Sequence, residues 1–284
     1  MQIASSVFTL VKYKLSLAVT LSAVAGYYLY KGETQPNILL LIGGVFFLAG
    51  GSAALNQVQE YKRDALMSRT YRRPIPSGKL KPAQALVISV SFCLAGFLLL
   101  LILGLLPALL GLVTLALYNG LYTWLKPLSS FAVIPGGLVG AIPPMIGWTA
   151  AGGTVMQPVI IFVATLMFLW QMPHFWLLII RYGKEYEAAG FSTLKRKLDD
   201  NQIKRLVFWW MTISLLFLLT ASLFGINLQP WLFITVAILN VVLIGFFYLI
   251  LFRTTSKRML RLVFILTNVF LTIMLLALIL NSVI

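Results

Sequence analysis

Asn56, Glu60 and Asp64 are spaced four residues apart in a chain that is otherwise almost uncharged around them. On an α-helix each step of four turns the side chain by about 40° and climbs about 6 Å. The three therefore share a face. Two carboxylates and an amide oxygen aligned in this way suit a hard cation such as Mg²⁺, which takes oxygen ligands and fills its remaining positions with water or phosphate. Arg63 falls on the same side, and Arg69, Arg72 and Arg73 follow closely. Forked guanidinium donors match phosphate oxygens. Acids for a metal beside bases for an anion are what a diphosphate site requires. Pro74, Pro76 and Gly78 break the helix and set up a loop able to fold over such a site. Basic residues also collect in ordinary cytoplasmic loops, so charge alone leaves both readings open. The acids at a spacing of four favour the site.

The elements that must position these groups follow from composition. The 284 residues are 60% hydrophobic and 10% charged, with a mean hydropathy of +0.96. Soluble domains carry roughly 25% charged residues. The chain therefore reads as all-α, a polytopic membrane protein forming a single domain over 1–284. The net charge of +15 is expected to face cytoplasm and anionic headgroups rather than nucleic acid. Cys93 is the one cysteine and His174 the one histidine, so neither a disulfide nor a Cys/His metal cluster is available. The first apolar run continues past the length of a signal peptide and reads as a membrane helix.

About 20 apolar residues cross the hydrocarbon. That rule predicts nine transmembrane helices, near 15–31, 38–56, 83–103, 106–124, 130–150, 158–180, 205–225, 231–252 and 260–282. With the N-terminus cytoplasmic, 21 of the 22 basic residues fall on the cytoplasmic side, Lys31 alone lying outside. Six of the seven acids fall there too, all within two long loops at about 57–82 and 181–204. Two loops four helices apart suggest two halves facing one site.

Other residues carry two readings each. The small residues of GGSAALN, Gly50 to Asn56, read as close helix packing. The glycines and prolines between Pro135 and Pro144 predict either a cavity wall or a kinked packing helix. Tyr118, Tyr122 and Lys126 share a face, by position an interfacial anchor, though Lys126 is able to reach a phosphate. His174, amid Trp170, Pro173, Phe175 and Trp176, is either a hydrogen-bonded core residue or a contact for a flat aromatic substrate. Glu185 is the better acid of its loop for a second metal position. The tract LKRKLDDNQIKR reads as a solvated loop.

N-x₃-E-x₃-D followed by M-x-R-T-x-x-R-P-I-P-x-G resembles the first signature of the UbiA superfamily of intramembrane prenyltransferases. The R-T-x-x-R-P-x-P extension, GAIPPMIGW, PHFW and Y-x-x-E-Y-x-x-A-G are similar, in the same order, to the haem O synthase branch. The resemblance implies nine helices around a central cavity and Mg²⁺ with a diphosphate at Asn56, Glu60 and Asp64. It implies diphosphate contacts from Arg69, Arg73 and Lys126, a second acidic position at Glu185, and the porphyrin side at His174. Arg63, Arg72, Tyr118, Tyr122, Arg181 and Tyr182 complete the expected substrate-binding set. The implied reaction transfers the farnesyl group of farnesyl diphosphate to a vinyl group of haem B. A quinone-type aromatic acceptor is the alternative within the superfamily, and a transporter or assembly factor the alternative outside it. The implied setting is a bacterial-type inner membrane with the site on its cytoplasmic side, beside haem A synthase or oxidase assembly proteins. Glu60 departs from the usual aspartate, Lys184-Glu185 from the usual acid pair, and the second D-x-x-x-D is missing.

Overall fold

The computed structural model describes residues 2–253 and 257–283. Residues 254–256, part of the expected cytoplasmic segment 253–261, lie outside the described residues. All regular structure among the described residues is helical. A short helix α1 (Gln2–Leu10) precedes α2 (Tyr13–Lys31), α3 (Ile38–Asp64), α4 (Pro82–Leu103) and α5 (Leu105–Leu115). A π-helical stretch, Ala116–Tyr122, and a last turn α6 (Thr123–Leu125) extend α5. Then come α7 (Val133–Ala150), α8 (Pro158–Ala188), α9 (Asp200–Leu218), α10 (Pro230–Arg253) and α11 (Lys257–Val283).

Successive long helices pack on one another from α2 to α11, and α11 packs back on α2, which closes the ring. Among the described residues, seven helices are long and apolar enough to cross a membrane by length and composition; α2 and α9 are the two long helices outside that set. The outward faces match a lipid solvent. Helix α4 exposes Val87, Val90, Leu94 and Ile102 while it buries Ala85, Ser89, Gly96 and Leu100. An apolar face of that size is unstable in water and at home in hydrocarbon.

Two crossings set the shape of the interior. Helices α2 and α7 meet where Gly26 lies against the Pro144 carbonyl and Gly147 against the Ala23 carbonyl, with no room for a Cβ at either glycine. Helices α3 and α4 meet where Gly51 lies against Cys93 and Gly96 against Leu48. Ser89 Oγ also donates to the Gly51 carbonyl at 2.9 Å. Dispersion between backbones in close contact is the main drive for helix association in lipid, and small residues permit it. The packing reading of Gly50 to Asn56 is thus met. The Pro/Gly segment of α7 serves both readings. Gly26 and Ala23 pack against its far half, while Gly140 and Pro143 line an apolar cavity of about 130 Å³.

The first apolar helix, expected near 15–31 with its start before Lys14, begins at Tyr13, and a separate short helix precedes it. Lys12 joins them in the left-handed region, at φ 46°, the one described non-glycine residue with positive φ. Gln57, buried in α3, fixes the join by donating to the Leu10 carbonyl at 2.7 Å. Ser16 Oγ donates to the Val11 carbonyl at 2.8 Å.

Candidate active site: carboxylates and cations in one cavity

The last turns of α3 carry Asn56, Glu60 and Asp64 inward, 2%, 4% and 1% exposed. Carboxylates so buried are costly unless paired. Glu60 accepts both of its contacts from Lys126 Nζ, at 2.8 and 3.0 Å. Asp64 Oδ2 accepts from Arg73 Nη1 at 2.6 Å. The Asn56 amide nitrogen donates to Thr123 Oγ1 at 3.1 Å, which leaves its oxygen for a cation. Three oxygen-bearing side chains thus line a cavity of about 330 Å³, each carboxylate in direct contact with its own base.

The loop after α3 folds back over this wall. Thr70 Oγ1 donates to the Asp64 carbonyl at 2.8 Å, and that turn brings Met67, Arg69 and Arg73 into the cavity lining. Arg69 Nη2 donates to the Tyr186 hydroxyl at 2.6 Å. The second loop closes from the other side with Phe191, Ser192 and Thr193, the Ser192 amide donating to the Lys126 carbonyl at 3.0 Å. The two acidic loops therefore face a shared space.

The far wall is aromatic. Tyr118 and Tyr122 stack with ring centroids 5.5 Å apart, and Phe175 lies 5.9 Å from Tyr122. Tyr118 and Tyr122 stand on the π-helical stretch, a geometry common at functional sites, and Phe175 on α8. Asn119, in the same stretch, turns away and locks it to α3. Its Nδ2 donates to the Ser52 carbonyl and to Gln59 Oε1, at 3.1 and 3.0 Å.

Lys126 is therefore no outward anchor. It points into the cavity and lies 4.7 Å from the Tyr122 ring centroid. Burial pulls its ammonium down, but the Glu60 carboxylate and Tyr118 outweigh this and raise it above the ordinary lysine value. His174 lines the cavity as well. Its ring lies 4.5 Å from Phe264 and 5.5 Å from Trp170, and its buried Nδ1 finds no hydrogen-bond partner among the described residues.

The structure thus brings Asn56, Glu60, Asp64, Arg69, Arg73, Tyr118, Tyr122, Lys126 and His174 together. Five other expected residues lie elsewhere. Arg63 lies over the Phe191 ring at 5.5 Å, behind the cavity lining. Arg72 is exposed and donates to the Tyr71 hydroxyl at 2.6 Å. Glu185 accepts from the Ser68 amide and hydroxyl, at 2.8 and 2.7 Å, and so pins the first loop to α8. Arg181 and Tyr182 face a neighbouring groove. The tract LKRKLDDNQIKR, expected as a solvated loop, instead forms a 3-10 turn at Leu194–Arg196 and the start of α9, with Leu194 and Ile203 buried and Lys195 paired to Asp200 at 2.9 Å.

Lys12, Gln171, Tyr186 and Phe191 also line the cavity and carried no sequence signal as site residues. Burial pushes the Lys12 ammonium down to about 7, aided by the nearby Arg73 and Lys126 and opposed by Glu60 and Asp64. A lysine among cations that titrates near neutrality regains its charge when an anion arrives.

Paired carboxylates and bases thus frame one cavity at one end of a ring of apolar helices. The chain belongs to the UbiA prenyltransferase family, whose model matches residues 17–279. It is 39% identical over 221 residues to the protoheme IX farnesyltransferase of Geobacter sulfurreducens, covering 77% of this chain and 82% of that one. It is 36% identical over 240 residues to the protoheme IX farnesyltransferase of Aquifex aeolicus, covering 80% and 78%. Among solved structures, a digeranylgeranylglyceryl phosphate synthase superposes with a TM-score of 0.78 at 18% identity, covering 100% of this chain and 99% of the other. A UbiA homolog from Archaeoglobus fulgidus bound to GPP and Mg²⁺ superposes with a TM-score of 0.66 at 11% identity, covering 96% and 99%.

Proposed function

We propose that this enzyme transfers the farnesyl group of farnesyl diphosphate to a vinyl carbon of haem B, water completing the hydroxyethylfarnesyl side chain of haem O. The observation that carries the reading is the matched set of buried charges, Glu60 with Lys126 and Asp64 with Arg73, in one cavity. The relatives named protoheme IX farnesyltransferase, similar over about three quarters of the chain, support the acceptor.

The donor set fits Mg²⁺. Asn56, Glu60 and Asp64 offer hard oxygen atoms on one helix face, and Glu185, tied to Ser68, stands back as a support of the loop. When bound there, the ion acts as a Lewis acid on the diphosphate leaving group. Lys126 and Arg73, now paired with Glu60 and Asp64, would turn to the phosphate oxygens beside Arg69 and Lys12 and would stabilise charge as it builds on the leaving oxygen.

The apolar cavity bounded by α2, α3, α5 and α7 shares Leu15, Tyr118 and Gln171 with the main cavity. The hydroxyls of its serine and threonine wall residues are satisfied internally: Ser52 Oγ donates to Asn119 Oδ1 at 2.6 Å, Ser16 Oγ to the Val11 carbonyl and Thr114 Oγ1 to the Leu110 carbonyl. An isoprenoid tail gains burial there and loses no hydrogen bond. Tyr118, Tyr122 and Phe175 then offer π faces to the allylic cation and exclude water from it. We read the ring as nine crossings, α2 and α9 included, with the N-terminus and the site on the cytoplasmic side of the cell membrane.

The acceptor is tested by absorbance. Haem B titrated into the protein in lipid is expected to shift its Soret band saturably. His174→Ala is expected to weaken that binding while the affinity for a non-hydrolysable farnesyl diphosphate analogue stays unchanged. Equal haem affinity in mutant and wild type would remove His174 from the porphyrin side. A saturable response to an aromatic carboxylic acid, with none to haem, would reassign the acceptor.

A further inference from the structure

A second concavity of about 310 Å³ opens beside the main cavity, between α8 and α11. The two share Arg69 and Leu178 as a common wall. Along α8, His174, Leu178 and Arg181 fall at i, i+4 and i+7. Along α11, Arg261 and Phe264 fall three apart. The slot therefore has a charged end at Arg181 and Arg261 and an aromatic wall at Phe264; His174 stands next door in the main cavity, its ring 4.5 Å from Phe264 and about 10 Å along α8 from Arg181. The slot's middle is apolar, and no acid stands among its described lining residues.

One guanidinium of its charged end is held: Tyr182 carries Arg181 against its ring at 5.0 Å, and Arg69 of the shared wall at 5.6 Å. Stacking of this kind leaves the planar fork free to receive a carboxylate in bidentate fashion.

We propose that Arg181 and Arg261 are the carboxylate clamp of the acceptor: they hold the propionate edge of the porphyrin at the mouth of the slot. The macrocycle then lies on Leu177, Leu178 and Phe264. Its opposite edge, which carries the vinyl groups, points past His174 to the shared wall where the farnesyl group is released. Orientation follows from chemistry, because only the propionate edge is anionic. The proposal rests on the haem reading above and adds the residues that set which edge of the acceptor reacts. Interfacial arginines also bind lipid headgroups. Against that assignment, the slot is concave, lacks acids and shares a wall with the reaction cavity.

The test compares haem B with its dimethyl ester, in wild type, Arg181→Gln and Arg261→Gln, with the protein in neutral lipid and in lipid with added phosphatidylglycerol. In wild type the ester is expected to show a KM about 10-fold above that of haem B. Each substitution is expected to raise the KM for haem B by about the same factor, leave the ester unaffected and leave the KM for farnesyl diphosphate unchanged. An unchanged KM for haem B would overturn the clamp. So would equal losses for haem B and ester, which denote a packing role, or losses confined to anionic lipid, which denote headgroup binding. Wild-type protein that converts neither haem nor ester, yet binds the diphosphate, would sink the haem reading and the clamp with it.

Discussion

Asp64→Asn is expected to lower turnover by on the order of 10³-fold while the protein stays folded. Asparagine keeps the volume and the backbone acceptor that Thr70 uses. It removes one of the two charges on the α3 face. A loss of that size corresponds to about 4 kcal/mol of transition-state stabilisation. Asp64→Ala is expected to be as inactive. Removing one partner of a buried ion pair costs about 3–5 kcal/mol where the other is also buried. The Arg73 side chain retains 19% exposure and can turn toward the cavity, so the stability cost falls below that range. Steady-state rates beside a thermal melt in the same detergent separate the two effects. Turnover within a factor of about two of wild type would remove Asp64 from the metal set.

Lys126→Met is the second large effect. The methylene stem survives, so packing on Tyr122 is largely kept. The ammonium that answers Glu60 is lost, and with it one of the cations assigned to the leaving diphosphate. A fall in kcat of about 100-fold is expected. Glu60→Gln combined with Lys126→Met tests the pairing. If the two residues act only as a structural pair, the double variant melts like wild type and regains turnover. If both touch the reacting diphosphate, the double variant recovers stability and stays slow. A Lys126→Met protein with wild-type kcat and a lowered melting temperature would contradict the catalytic assignment.

The acidic face was legible because helical periodicity is stiff. Asn56, Glu60 and Asp64 lie within one helix, and their spacing alone puts them on one side. The reach of Arg69 and Arg73 was legible from the short distance along the chain and the loop-breaking prolines. The same reasoning failed for Arg63 and Arg72. Each is next to a cavity residue in sequence, and a single step along a helix or turn swings the side chain about 100° away. Glu185 looked like a ligand because an acid in the second loop was needed there. What decided its partner was Ser68, whose backbone amide and hydroxyl converge on it across 117 residues. Lys12 was invisible for the converse reason. Its position depends on a left-handed turn and on Gln57 gripping the end of α1, and neither leaves a pattern in composition. The π-helical stretch was equally hidden, since Asn119 within it bonds across to Ser52 and Gln59 on α3, contacts that leave no local pattern. The membrane class was plain from hydropathy. Seven spans answer to length and composition among the described residues, and the charge asymmetry supplies the argument for the other two.

The most direct test of the central claim is the mass of the product. Purified protein in lipid receives haem B, farnesyl diphosphate and Mg²⁺, with and without chelator, and the extracted haem is weighed by mass spectrometry. The account predicts a haem heavier by one farnesyl group and one hydroxyl, absent when the metal is chelated. Unmodified haem from folded protein with Mg²⁺ present, or full product in excess chelator, would contradict it.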